Sequence, residues 1–178
     1  ESTQDIAVSI TAVTADQLAA DQIYDLEDLA EIIPGFGAAK GIGSGSGFVM
    51  RGIGSYGVGA AVVSSIVTSI NGHSVNPSIM NDMGFMDLER IEVLNGPQGT
   101  LFGRNSVAGV INLITARPTD EFEGYMDYEA GTFEKETVKG AINMPISDTV
   151  RARLAFMSNV REGMVDNPFT GNKMDDRN

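Results

Sequence analysis

The sequence contains no cysteine and no tryptophan among its 178 residues, and it has a single histidine, His73. Without cysteine, the chain has no disulfide, no thiolate nucleophile and no cysteine-ligated metal site, and it fits any redox compartment. One histidine leaves little for a metal site or a general base. We therefore expect no catalytic residue, no metal and no cofactor, and we do not expect an enzyme.

Basic residues are also scarce, with 12 Lys and Arg against 24 Asp and Glu, for a net charge of −12. Nucleic-acid phosphates need a basic surface, so this balance argues against a nucleic-acid partner. No apolar run reaches the ~18 residues expected of a transmembrane helix. The start of the chain lacks the basic and apolar regions of a signal peptide.

What the chain does contain begins with a strand and two short helices. Residues 6–13 are rich in β-branched side chains and predict a strand. Thr14 and Gln17 have the spacing of a capping box, so a helix is expected after Thr14. A second helix is predicted over "DLEDLAEII", where the apolar residues share one face: Leu26, Leu29, Ile32 and Ile33. Pro34-Gly35 ends it.

Glycine-rich segments separate the strands predicted next. Residues 37–47, "GAAKGIGSGSG", predict a flexible loop, and their glycine spacing does not match the dinucleotide-binding G-x-G-x-x-G. "FVMRGIGS" predicts a short strand, and Asn71-Gly72 predicts a hairpin turn after a β-rich run. Further on, "MDLER" predicts a turn or helix, followed by strands at 91–94 and 109–115. Residues 1–117 thus predict a small mixed α/β unit.

Beyond Pro118 the residues alternate strictly between apolar and charged or polar. Apolar side chains occupy the even positions of 121–131, 138–146 and 150–160, and most charged ones the odd positions. Turns are expected at "TFEKE" and "PISDT". This pattern predicts a two-faced antiparallel meander.

Periodicity alone leaves two architectures open for this meander. A soluble sheet would cover its apolar face with a second layer, whereas a membrane β-barrel would turn that face toward lipid. The short turn "PISDT" and the long polar segment 161–178 favour a barrel, whose two rims differ in this way. Acidic residues on the first strand and basic residues on the third are expected to attract each other across the polar face.

Residues 87–124 read "DLERIEVLNGPQGTLFGRNSVAGVINLITARPTDEFEG", and this stretch closely resembles the plug of TonB-dependent outer-membrane receptors. "SITAVTADQLAADQIYDLEDLAEIIPGF" resembles the first plug strand and helices, and "FVMRGIGS" the internal strand with its Arg-Gly. "GTFEKETVKGAINMPISDTVRARLAF" looks like the first barrel strands. The resemblance implies an α+β plug domain over 1–117, followed over 118–178 by antiparallel strands of a transmembrane β-barrel, 22-stranded in the family, with about three strands here.

The resemblance also implies a function. It indicates a receptor in the outer membrane of a Gram-negative bacterium that takes up a scarce small-molecule ligand, most commonly an iron–siderophore chelate, with the plug gating the barrel lumen. The implied partners are the remainder of the barrel, the lipid and lipopolysaccharide of the membrane, and TonB of the inner-membrane energising complex, which pulls on a box upstream of this chain. We expect the chain to be the N-terminal portion of such a receptor, starting just after that box and ending in an extracellular loop.

Two alternatives to this interpretation stay open at the level of the sequence. One is a soluble plug-like ligand-binding module that captures a ligand without transport. The other is the same receptor with an oligosaccharide or cobalamin cargo. Extraction with and without detergent distinguishes the soluble module from an outer-membrane receptor. Growth on different cargoes distinguishes an oligosaccharide or cobalamin receptor from an iron–siderophore receptor.

The resemblance assigns residues to two sets. The loops expected to face the ligand contain Gly41, Ser44, Ser46, Ser55, Tyr56, His73 and Asn76. The residues expected to contact the barrel are Arg51, Glu89, Arg90, Glu92, Arg104 and Asn105. The chain departs from the family pattern twice, with Asn95 where arginine is common and Ala108 where glycine is usual, so one plug–barrel ion pair of the family is in doubt here.

Overall fold

The computed structural model divides into two compact units, Glu1–Ala116 and Arg117–Asn178. It describes residues 10–40, 46–55, 64–76, 84–103, 105–132, 135–160, 165–166 and 173–174. No helix within these ranges is long and apolar enough to cross a membrane.

The first unit contains eight strands and three short helices among the described residues. In chain order they are β1 (Ile10–Thr14), α1 (Ala15–Ala20), α2 (Leu26–Ile32), β2 (Phe36–Lys40), β3 (Ser46–Met50), β4 (Ile53–Ser55), β5 (Ile66–Ile70), β6 (His73–Val75), β7 (Leu88–Asn95), α3 (Gly99–Phe102) and β8 (Gly109–Thr115). Five strands form one sheet in the order β1-β7-β8-β5-β6, and β2, β3 and β4 form a smaller one. β5 and β8 are parallel, and the other pairs of both sheets are antiparallel.

Side-chain caps fix where the first two helices begin. Thr14 Oγ1 accepts the Gln17 N–H at 3.4 Å, and Gln17 Oε1 accepts the Thr14 N–H at 3.0 Å, which confirms the predicted capping box. Asp25 Oδ1 accepts the N–H groups of Glu27 at 2.7 Å and Asp28 at 2.9 Å. Each cap satisfies amides that have no partner inside the helix.

The main core of this unit lies on one face of the five-stranded sheet. It joins residues of that sheet to α1, α2 and the smaller sheet: Val13, Leu18, Ile23, Leu26, Leu29, Ile33, Phe36, Phe48, Met50, Ile66, Phe85, Ile91, Val93, Ala108, Ile111 and Leu113. The rings of Phe36 and Phe48 stack with centroids 5.6 Å apart. A smaller cluster on the opposite face contains Val67, Leu94 and Val110, with Ile10 and Phe102 packed against it.

The glycine-rich segment differs from its prediction. Residues 37–47 are not one flexible loop, because β2 and β3 pair antiparallel from Phe36↔Met50 to Lys40↔Ser46; residues 41–45 lie outside the described ranges. "FVMRGIGS" contributes to two strands, β3 and β4, joined by a turn at Arg51 and Gly52 with φ of 51° and 78°. Glycine and serine carry little period-two signal, so pairing with neighbouring strands sets this structure.

Two further elements of the first unit were not predicted correctly. β7 begins at Leu88 rather than at residue 91, because Leu88 pairs with Thr115 and Arg90 with Thr14. The single-turn helix α3 was not predicted. The strands predicted at 6–13 and 109–115 are confirmed where they are described, as β1 and β8, with residues 6–9 outside the described ranges.

The second unit is built on a three-stranded antiparallel sheet in the order β11-β10-β9. Its strands are β9 (Glu123–Ala130), β10 (Glu136–Ser147) and β11 (Val150–Val160), which confirms the predicted meander. The second turn is tighter than expected, since β10 continues through Pro145 to Ser147, with a bulge at Ile146, and only Asp148 and Thr149 connect it to β11. Within 161–178, predicted as a loop, β12 (Val165–Asp166) pairs with β13 (Lys173–Met174).

Candidate functional site

A polar network crosses the face of the five-stranded sheet that lies opposite the main core. Its centre is Asn112 on β8, which is 7% exposed and lies between Glu92 of β7 and Ser69 of β5 in the strand register. Asn112 Oδ1 accepts the Ser69 hydroxyl at 2.8 Å and the Gly72 N–H at 3.0 Å. Its Nδ2 donates to Glu92 Oε2 at 3.2 Å. One amide side chain therefore links three strands and a turn.

Glu92 shares its two oxygens between Asn112 and a cation. Arg90 Nε and Nη2 both lie 2.8 Å from Glu92 Oε1, and Arg90 Nη1 also pairs with Glu89. The hydrogen bond to Glu92 raises the pKa of Arg90 above its usual value, so the guanidinium stays charged. The Arg90 and Glu92 side chains remain 36% and 25% exposed, so we expect their ion pair to contribute only ~0–1 kcal/mol.

The β5–β6 turn is fastened to the end of β8. Asn71 and Gly72 have φ of 51° and 83°, as an Asn-Gly hairpin turn requires, which confirms the predicted turn. Asn71 Nδ2 donates to Thr115 Oγ1 at 3.0 Å, and Asn71 Oδ1 accepts the Thr115 N–H at 3.1 Å. Since Thr115 pairs with Leu88 at the start of β7, this hairpin turn lies at the end of the sheet where β7 begins.

The residues predicted to face a ligand fall into two places. Ser46 and Ser55 lie at the same end of the smaller sheet, away from its β3–β4 turn, because Ser55 pairs with Phe48 and Ser46 begins β3. His73 and Asn76 are exposed at and just after β6 in the five-stranded sheet. The remaining members of this set lie outside the described residues: Gly41, Ser44 and Tyr56.

The residues predicted to contact the barrel are also divided. Arg51 lies in the exposed β3–β4 turn, where its N–H donates to Gly35 O at 2.6 Å. Asn105 is exposed in the α3–β8 connection, at the opposite end of the five-stranded sheet from Thr115, and Arg104 lies outside the described residues. Among the described members of this set, Glu89, Arg90 and Glu92 come together in one network.

Sequence reasoning missed Ser69 as a member of this network. Ser69 is fully buried beside Thr68 in β5, and its partner Asn112 is 43 residues further along the chain. A signal was present, because "SIVTSI" carries Thr68 and Ser69, and "GVINLI" carries Asn112, inside apolar runs. Two such interruptions on paired strands predict a shared hydrogen bond once the pairing is known.

The polar face of the second unit contains complementary charges around a buried amide. Asn143 of β10 has no exposed surface and lies opposite Glu123 of β9 and Arg153 of β11. Arg153 Nη1 reaches Glu123 Oε1 at 3.8 Å. This contact joins the first and third strands and confirms the attraction expected between the acidic residues of the first strand and the basic residues of the third. Lys139 of the second strand also pairs with Asp127 of the first, at 3.9 Å.

The other face of the same sheet is apolar and exposed. Met126 is 71% exposed and Leu154 62%, whereas Ala141 on the polar face is buried. Further exposed apolar side chains with even numbers in this unit are Phe122, Tyr128, Ile142, Met144, Ile146, Val150, Phe156 and Val160, whereas the exposed Tyr125 belongs to the polar face. From Gly124 to Met144 and from Ala152 to Val160, the register pairs even-numbered residues with even-numbered ones and places them on this face. A bulge between Pro145 and Ser147 shifts the register at the last turn. A continuous apolar surface of this size marks a site of contact with lipid or protein.

Among the described residues, no group of three His, Asp or Glu side chains is placed to hold a metal ion. The family model of the TonB-dependent receptor plug domain matches residues 2–110. The chain belongs to the TonB-dependent receptor plug family. This family consists of receptors, which confirms the predicted family and the expectation that the chain is not an enzyme.

Curated relatives of this plug chain are receptors. It is 33% identical to the pesticin receptor of Yersinia pestis over 88 residues, covering 48% of this chain and 13% of the relative. It is 29% identical to the ferrichrome outer membrane transporter/phage receptor of Escherichia coli over 134 residues, covering 72% and 17%. The chain therefore spans less than a fifth of the length of these two relatives.

Solved structures share the fold of this plug chain. The ferric yersiniabactin uptake receptor of Yersinia pestis aligns with a TM-score of 0.81 at 24% identity, over 93% of this chain and 26% of that one. The ferripyoverdine receptor of Pseudomonas aeruginosa aligns with a TM-score of 0.76 at 21% identity, over 93% and 22%. Both confirm the predicted fold, a plug followed by the first barrel strands.

Proposed function

We propose that this chain is the N-terminal part of a TonB-dependent receptor that imports an iron–siderophore chelate across the outer membrane. The first unit is the plug that gates the barrel lumen, and the second supplies the first strands of the barrel wall. TonB, energised from the inner membrane, pulls on a box upstream of the chain and displaces part of the plug. No covalent chemistry is involved.

The observation that carries this proposal is the exposed apolar face of β9, β10 and β11. Leaving a large apolar side chain in water costs ~1.5–3 kcal/mol relative to burying it, and ten of the eleven exposed large apolar side chains among the described residues of this unit have even numbers. Acyl chains of a membrane remove this cost, and the charged face then lies toward the lumen. β9 and β11 are the edges of this sheet, and further strands of a longer protein would pair with them to close a barrel.

The choice of an iron–siderophore chelate rests on similarity to proteins of known cargo. Ferrichrome and ferripyoverdine, the ligands in the names of two relatives, are both ferric siderophores. These relatives are 29% and 26% identical to the chain over 72% and 82% of its length. An oligosaccharide or cobalamin cargo remains the competing proposal for the same receptor.

The test is growth of the source bacterium with the complete gene deleted. On iron-chelated medium, the deletion strain is expected to lose growth on at least one ferric siderophore from a panel that includes ferrichrome and pyoverdine. The complete gene restores growth, and the same gene in a strain without TonB does not. Normal growth on every siderophore, with lost uptake of cobalamin or an oligosaccharide, would reassign the cargo.

A soluble binding module makes a different prediction. Membrane fractionation of cells that express the complete protein is expected to release it only with detergent. Recovery of the complete protein in the aqueous fraction without detergent would overturn the receptor proposal and favour the soluble alternative.

A further inference from the structure

The segment before β9 is held against the polar face of its own sheet by Asn143. Asn143 Oδ1 accepts the Thr119 N–H at 3.0 Å, and Nδ2 lies 3.1 Å from Thr119 O and 2.9 Å from Thr119 Oγ1. Nδ2 also donates to Glu121 O. The side-chain amide thus binds both backbone groups of Thr119, as a neighbouring strand would.

Two further contacts fasten the same segment. Thr119 Oγ1 lies 2.8 Å from Glu123 Oε1. Asp120 forms an ion pair with Arg151 at the start of β11. We call the contacts of Asn143 and Arg151 with Thr119–Glu121 the clasp.

The chemistry of the clasp requires asparagine at its centre. Only a side-chain amide offers both an acceptor and a two-hydrogen donor in one planar group. Aspartate would keep the bond from the Thr119 N–H but lose every donation to a carbonyl. Glutamine is one methylene longer, and alanine would leave the Thr119 backbone groups without their partner.

We infer that the clasp isolates the first barrel strand from force applied through the plug, an inference that rests on the proposed function. The first rung of β9 on β10 is Glu123↔Asn143, and only residues 117–122 separate it from the plug unit. A pull along the chain would otherwise load this rung directly. The hydrogen bonds of an antiparallel ladder lie perpendicular to the strands, so a load that peels β9 away from β10 at this end breaks them one after another.

The clasp changes how this load is borne. Its bonds converge on Thr119 and Asp120, ahead of the ladder, so several must break together before Glu123 is pulled. The buried Asn143 is shielded from competing water, which strengthens its bonds. The plug can then be displaced by TonB while the barrel strand that follows it stays paired.

Single-molecule force spectroscopy on the complete protein in a lipid bilayer tests this inference. The molecule is pulled from its N-terminus. Each resting point, meaning an unfolding intermediate seen as a force peak, is assigned to a residue from the released contour length. The wild-type protein is expected to rest at Thr119 before β9 opens. In the Asn143→Ala protein this resting point is expected to disappear, so that the eight residues of β9 follow at once with about 28 Å of extra chain, at 3.3–3.6 Å per residue.

A matched control and a second variant keep the outcome interpretable. Asn159→Ala makes the same change on the polar face of β11, at the far end from the clasp, where Asn159 pairs with Thr137; the resting point is expected to remain. Arg151→Ala removes only the exposed ion pair and is expected to lower the force of the resting point. If Asn143→Ala does not assemble, the force measured for Arg151→Ala decides whether the clasp resists the pull. A wild-type protein without a resting point at Thr119 would overturn the inference, and so would an unchanged force at that point in assembled Asn143→Ala or Arg151→Ala protein.

The growth assay separates this inference from the proposed function. A resting point that depends on Asn143 in a protein that supports no uptake would leave the clasp standing and refute the receptor proposal. Uptake by a protein whose Thr119 resting point is missing would support the receptor proposal and refute the clasp.

Discussion

Asn112→Asp is the substitution that tests the polar network of the plug most sharply. The aspartate would still accept hydrogen bonds from Ser69 and Gly72. Its second oxygen, however, would stand where Asn112 Nδ2 now donates to Glu92 Oε2 at 3.2 Å. A donor is thereby replaced by a like charge in a site that is 7% exposed at Asn112.

The magnitude follows from two contributions. Loss of the hydrogen bond to a charged group costs ~1.5–3 kcal/mol. Two like charges at about 4 Å repel by ~1 kcal/mol in water and ~4 kcal/mol at the effective dielectric near a protein surface. Arg90 neutralises part of this repulsion, so we expect a local destabilisation of about 3 kcal/mol at pH 7.

Backbone hydrogen exchange of the complete protein in detergent measures this effect. The β8 amides and the Gly72 amide are expected to lose protection by about 100-fold, since 1.36 kcal/mol corresponds to a factor of ten. Repulsion raises the pKa of the carboxyl pair in the folded state. The folded protein then binds more protons than the unfolded one, so the lost stability is recovered as the pH falls through that raised pKa.

The double variant Asn112→Asp/Glu92→Gln is the control. A Gln side chain can donate to the new aspartate, so most of the protection is expected to return at pH 7. Equal protection of Asn112→Asp and wild type at pH 7, or no recovery in the double variant, would refute the reasoning.

Three further substitutions probe the plug unit by the same exchange measurement. Thr68→Val removes a 1% exposed hydroxyl that has no hydrogen-bond partner in the described structure and is expected to stabilise β5 by ~1 kcal/mol; weaker protection would contradict this. Gly109→Ala would press its Cβ onto Met50 Sδ and the Leu94 carbonyl and is expected to lower stability by ~1–3 kcal/mol. Unchanged exchange protection of the β7 and β8 amides would contradict this. Asp25→Asn keeps the N-cap and removes a carboxyl whose pKa burial raises above its ordinary 3.8. The raised pKa means that ionisation of Asp25 lowers the stability of the folded protein. The variant is therefore expected to be more stable than wild type at pH 7, and this difference in stability is expected to shrink as the pH falls through that pKa. A stability difference that grows on acidification would refute this.

Local patterns predicted the elements whose signals lie close together in sequence. The capping box at Thr14 and Gln17 spans one helical turn, and Asn71-Gly72 encodes its own positive φ angles. The alternation of 121–160 predicted both the strands and their faces, because a strand side chain's face depends only on its parity.

Contacts between distant residues could not be predicted in this way. The β2–β3 hairpin depends on pairing rather than on the pattern of its glycines and serines. The role of Asn143 depends on its hydrogen bond with Thr119, 24 residues earlier in the chain. The alternation placed Asn143 correctly on the polar face, but it gave no indication that the segment before β9 folds back onto that face.

A nitroxide scan of residues 150–160 in the complete protein in a bilayer tests whether the apolar face of β11 contacts lipid. Collision rates with oxygen, which concentrates in lipid, and with a water-soluble nickel chelate are measured at each position. We expect alternation with a period of two residues, with oxygen dominating at Leu154 and Phe156 and much lower oxygen exposure at Arg153 and Ala155, which flank Leu154. Collisions with the nickel chelate that dominate at Leu154 and Phe156, or equal values at neighbouring positions, would contradict it.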